Sequence, residues 1–143
     1  MEVIGGRLQK LAEALARQII GTDANPEIQE LACRIAEAQI DLRRVRYARH
    51  QLLSQALSDP DYESDGMIRK KALAIRILRR SDLDTPMSNE VMEFLSSKPV
   101  GPNKFATILA DKARQLLALD HYERRALSRR KFAIRAFDAE SRR

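Results

Sequence analysis

The feature that most constrains this chain is a stretch of more than thirty residues, Asn25 to Leu57, with the apolar spacing of one long helix. Ile28, Leu31, Ile35, Ala38, Leu42, Val45, Leu52 and Ala56 recur at alternating intervals of three and four. Arg49 interrupts the row where the next apolar residue is due. Asn25 is a capping residue, Pro26 suits the first helical turn, and Glu27 and Glu30 complement the positive end of the helix dipole. Such a helix is about 45 Å long at 1.5 Å per residue, longer than an ordinary globular helix. It needs a partner of similar length to bury its seam.

A second segment supplies one. From Lys98-Pro99-Val100-Gly101-Pro102 onward, the spacing predicts a helix over about 103–138. Its seam is Phe105, Leu109, Leu116, Leu119, Ala126, Ala133 and Phe137, with Lys112, Glu123 and Arg130 at intervening seam positions. A charged residue on a seam is costly unless paired and can fix register. Arg46 and Arg49 of the first long helix, and Glu123 and Arg130 of the second, are therefore candidates for cross-helix pairs. In an antiparallel arrangement Arg130 is expected to approach Glu30 or Glu37. The first long helix also carries an opposite stripe, Cys33, Ile40 and Tyr47, seven residues apart. That stripe is either covered by the N-terminal helix or left as a docking surface for a partner chain.

The shorter pieces fill in the architecture. Residues 3–20 are amphipathic, with Ile4, Leu8, Leu11, Leu15 and Ile19 on one face and Gly21 as the stop. Residues 67–80 are expected to be helical with Ile68, Ala72, Ile75 and Leu78 inward, and Thr85-Pro86 opens a helix over about 86–96. Between them Ser58–Gly66 (SDPDYESDG) reads as a mobile acidic loop. Aromatic residues are only 5% of the chain and Trp is absent, which argues against an all-β domain. The expectation is one all-α domain over 1–143. It is a long antiparallel, coiled-coil-like helical hairpin with an N-terminal packing helix and two short connecting helices.

The same inventory excludes several functions. One Cys and two His build neither a disulfide framework nor a tetrahedral Cys/His zinc site. No apolar run approaches the roughly 18 residues of a membrane span, and the N-terminal stretch lacks a signal-peptide core, so a cytoplasmic protein is expected. Asp61–Ile68 has the opening of a calcium loop, but Ala72 stands where the bidentate Glu is required. His50 and His121 belong to no nucleophile–base–acid arrangement, and Gly5-Gly6 lacks the strand and the Lys-Ser/Thr pair of a phosphate loop. No cofactor, metal site or catalytic set is expected.

Charge leaves one further reading open. The chain has 26 Lys+Arg against 20 Asp+Glu, and the excess is concentrated in residues 41–80 and 121–143. Arg124, Lys131, Arg135 and Arg142 form a basic stripe on the last helix, and Arg69, Arg76 and Arg80 form a second on the 67–80 helix. Such stripes track phosphates or are solvated helix faces. A helix-turn-helix is disfavoured, because the 86–96 helix would present Glu90 and Glu93 to the DNA backbone. The sequence thus supports a non-enzymatic interaction or self-association module, with a homo-oligomer or protein partner. The alternative is nucleic-acid binding through the two basic stripes.

Two blocks, LACRIAEAQIDLRRVRYARH at Leu31–His50 and LDHYERRALSRRKFAIRAFD at Leu119–Asp138, resemble an uncharacterised group of small helical proteins from rhizobium-like, GC-rich soil bacteria. They cover about 40 of the 143 residues. Both are long-helix blocks, so the resemblance implies two helices packing together. It implies no reaction, cofactor or binding residue.

Overall fold

The computed structural model describes residues 2–21, 25–80 and 87–143, and of residues 2–5 the backbone alone. Six helices run through them: α1 (Glu2–Ile20), α2 (Pro26–Ser58), α3 (Asp65–Arg80), α4 (Asn89–Ser96), α5 (Gly101–Asp111) and α6 (Ala113–Ser141). The chain is all-α, and no strand occurs among the described residues. The residues cluster into two compact units. The first unit is 1–49 with 117–143, and the second is 50–116.

Local signals set the helix ends. The Asn25 side chain accepts a hydrogen bond from the Glu27 amide at 3.3 Å, and Gln29 N–H donates to Asn25 O at 3.0 Å. Gly21 closes α1 with φ of 73° and donates its amide to Arg17 O at 2.9 Å, a conformation that favours glycine. Ser64 Oγ accepts from Met67 N, so α3 opens two residues before the sequence suggests. The Thr85-Pro86 start lies outside the described residues. Ser88 caps α4 through Val91 N instead.

In the first unit α2 packs between α1 and α6. The α1–α2 contact is made of alanines: Ala12 and Ala16 against Ala32 and Ala36, with Ile40 beside them and Leu8, Leu15, Ile20, Cys33 and Phe137 around the rim. Side chains this small let two helices approach closely. They also turn α1 about its axis relative to the expected face. Leu11 is 56% exposed and Ile19 is exposed as well, and Ile4 lies among residues whose side chains are not described. On its other side α2 buries Ala38 and Leu42, and α6 buries Ala126 and Ala133, members of the two expected seams.

In the second unit Ala56, Tyr62 and Ile108 form the buried cluster, with Leu53 against it. Three expectations are corrected here. The single helix over 103–138 is two, because Lys112 leaves helical geometry (φ −94°, ψ 6°) next to Asp111, which is tied to the preceding loop. With its own rotation α5 buries Ile108, while Phe105 and Leu109 are exposed. The acidic segment 58–66 is anchored rather than loose, since Tyr62 is buried and donates its hydroxyl to Asp111 Oδ2 at 2.6 Å. Finally, α3 turns Lys71 inward, and Ile68, Ala72 and Ile75 of the expected core face are exposed.

Candidate functional surfaces

The register of α2 against α6 is written in charge. Glu123 accepts from Arg46 Nε at 2.9 Å and pairs with Arg49 Nη2 at 2.6 Å, as the seam charges lead one to expect. Arg129 reaches Asp41 at 2.7 Å, and Arg130 Nη1 donates to Gln39 Oε1 at 2.7 Å. As position rises along α6 its partner falls along α2, so the two run antiparallel. Arg130 is half-buried, as a seam residue should be, but finds Gln39 rather than Glu30 or Glu37. Glu30 is occupied by Arg34 one turn along its own helix. The two guanidiniums hold the Glu123 carboxyl below its usual range, the Arg46 hydrogen bond first and the Arg49 bond next.

The Cys33–Ile40–Tyr47 stripe is divided by α1. Ile40 is buried under it and Cys33 is partly covered. Burial, with Glu37, Glu13 and Glu30 nearby, pushes the Cys33 thiol up in pKa, away from the reactive thiolate. Tyr47 is left 64% exposed.

The basic stripes lie on open surface. Lys131, Arg135 and Arg142 in the first unit, and Arg69, Arg76 and Arg80 in the second, are exposed and make no ion pair among the described residues. Arg124 differs, being paired with Asp120 on its own helix at 3.0 Å. The two stripes belong to different units.

A feature the sequence reading misses is a groove between α2 and α6 in the first unit. Asp41, Arg44, Val45 and Ala48 line one wall and Leu119, Tyr122, Arg125 and Arg129 the other, around about 620 Å³. The sequence signal was present, since Ala48, Tyr122 and Arg125 lie beside the two seams. Attention to the seams alone passes over such flanks.

The polar chemistry of the second unit is structural. Lys71 is buried, and its ammonium donates to Glu63 Oε1 and to Ser97 O, both at 2.6 Å. Lys104 Nζ caps the end of α2 through Leu57 O and Asp59 O, and Lys98 pairs with Asp61. His50 Nε2 lies 3.4 Å from Ser54 Oγ one turn along α2, and His121 meets Tyr122 edge-on. No group of three metal-ligating side chains occurs among the described residues.

Fold and surfaces together define an all-α helical bundle whose described features are faces and grooves. Among the described residues no helix is long and apolar enough to cross a membrane. No family model, curated protein or solved structure matches the chain.

Proposed function

We propose that this chain is a non-enzymatic helical interaction module that associates, with itself or with a partner chain, through apolar helix faces. The observation that carries the reading is α3. Its inward position is taken by Lys71, while Ile68, Leu73 and Ile75 stand exposed on a helix of otherwise strongly basic character. Ile68, Ala72 and Ile75 share one face at helical spacing. Burying each large aliphatic side chain in an interface is worth about 1.5–3 kcal/mol, which gives a second surface a reason to cover them.

Sedimentation velocity over a wide concentration range tests this, with the wild type compared against Ile68→Glu/Ile75→Glu. Concentration-dependent association that the double variant loses supports the module. A wild-type chain that stays monomeric and retains no partner through this face would sink it.

The second reading, nucleic-acid binding, is favoured by Lys131, Arg135 and Arg142, which are exposed and make no ion pair among the described residues. It requires binding to a generic duplex whose log affinity falls linearly with log salt concentration. It also requires that charge reversal on α6 weaken all sequences about equally.

A further inference from the structure

We propose that the groove between α2 and α6 in the first unit is a docking site for an acidic amphipathic helix of a partner protein. The proposal rests on the interaction reading and adds to it a specific face and the chemistry of the partner.

The shape comes first. Two antiparallel helices leave a valley along their line of contact, and a third helix laid in it completes the packing. Val45 and Leu119 are half-buried in that valley and Ala48 opens onto it, giving an aliphatic floor. Arg129 also borders a second recess of about 400 Å³, lined by Leu31, Ala38, Phe132 and Ala133 and by the charged Arg34 and Glu37. Phe132 is 65% exposed there. From Leu31 to Val45 the floor extends about 21 Å at 1.5 Å per residue, the length of a helix of four turns. Helix α1 packs on α2 at Ala32, Ala36 and Ile40 and borders the groove, its Leu8, Gln9 and Ala12 sharing a recess with Asp41, Arg44 and Arg129.

The charge on the walls selects the occupant. Asp41 is neutralised by Arg129 at 2.7 Å. Arg44 and Arg125, on opposite walls, make no ion pair among the described residues, so two guanidiniums remain for a ligand. Tyr122 is 57% exposed and offers a ring to apolar side chains with its hydroxyl at the water boundary. A helix with leucines at i, i+3, i+4 and i+7 and carboxylates placed to reach Arg44 and Arg125 complements the apolar lining, the two guanidiniums and Tyr122. Single-stranded nucleic acid would use the arginines and the tyrosine but has no counterpart for an aliphatic floor of this length.

The test uses the full chain and a labelled synthetic helix of about 18 residues, leucine on one face and glutamate elsewhere, followed by fluorescence anisotropy. A companion peptide has lysine in place of every glutamate. The acidic helix should bind saturably, more weakly as salt rises, and the lysine version should not. Arg44→Glu/Arg125→Glu should weaken binding at least about tenfold, since two exposed charge pairs become repulsions. Arg44→Gln/Arg125→Gln should give a smaller loss and serves if the reversal disturbs the fold by circular dichroism. Tyr122→Ala should weaken both the tight and the salt-insensitive part of the binding.

Four results overturn the proposal. One is no saturable binding up to about 100 µM. Another is equal binding of acidic and basic helices. The third is affinity unchanged by both arginine double variants. Displacement of the acidic helix by an oligothymidine, with direct oligothymidine binding tighter than that of the peptide, assigns the groove to nucleic acid and overturns it too. Self-association through α3 involves other residues. If it persists while the peptide fails to bind, the groove proposal falls and the interaction module stands.

Discussion

Lys71 is the residue whose removal tells most about the second unit. Its side chain is 9% exposed and that of Glu63 20%, and the ammonium makes two charge-assisted hydrogen bonds of 2.6 Å, to Glu63 Oε1 and Ser97 O. In Lys71→Met the stem is kept nearly isosteric while both bonds are lost. Removing one member of a well-buried pair costs about 3–5 kcal/mol, because its partner is stranded. Glu63 keeps a fifth of its surface in water, so part of that loss is recovered, and the expectation falls to about 2–3 kcal/mol. Lys71→Ala should cost about 2 kcal/mol more, because three buried methylenes at about 0.8 kcal/mol each are also lost. Glu63→Gln, which retains an acceptor, should cost about 1 kcal/mol. Urea unfolding at pH 7 provides the free energies, and a double-mutant cycle isolates the pair. The double variant Lys71→Met/Glu63→Gln should be more stable than the sum of its singles predicts, by over about 1 kcal/mol. Additivity within about 0.5 kcal/mol, or a Lys71→Met chain as stable as the wild type, would refute the claim that this ammonium holds α3 in place.

Three further outcomes follow from the same geometry. Tyr62→Phe should cost about 1.5–3 kcal/mol, read by urea unfolding, since it deletes a 2.6 Å bond to the Asp111 carboxylate. Burial, then Asp111, raises the Tyr62 phenol above its ordinary value of 10.0, so this stability is complete below pH 10 and is lost as pH rises through the folded pKa. The wild type should lose its advantage over Tyr62→Phe in alkali, and a constant difference would contradict the assignment. The Glu123 carboxyl has the opposite sign, its folded pKa lying below the ordinary 4.5. Its contribution is present above that value and fades as pH falls through the folded one, so wild type and Glu123→Gln should converge in stability in acid. Ala36→Leu should lower stability by about 1–3 kcal/mol in thermal or urea unfolding, because Ala36 is fully buried in the alanine contact between α1 and α2.

The long helices were legible because their information is redundant. Apolar spacing marks the seam of α2, and the charges interrupting that seam specify what must lie opposite: Arg46 and Arg49 require an acid, and Glu123 supplies it. The shorter helices carry no such redundancy. On α1 the large residues Leu11 and Ile19 suggest one face, yet the contact is made at Ala12 and Ala16, which match Ala32 and Ala36 on α2. The alanine repeat at i, i+4 was visible in both helices. A count of large aliphatics gives it no weight, because alanine stabilises a contact through close approach rather than through buried area.

The rotation of α3 away from its expected face has a physical reason that reaches the candidate sites. A helix face is chosen by the best partner available, and one lysine with two oxygen partners outweighs the periodicity of Ile68, Ala72 and Ile75. Met67, Ala74 and Leu78 are half-buried beside Lys71, and Ile68 and Ile75, three before and four after it, fall at the edge of that inward face and stay exposed. The groove between α2 and α6 arises in a parallel way. Asp41 and Arg129 satisfy each other, and Arg44 and Arg125 make no ion pair among the described residues. Leucine spacing alone reveals neither surface. Both become visible only when each charge is assigned its partner and the side chains left over are asked what would cover them.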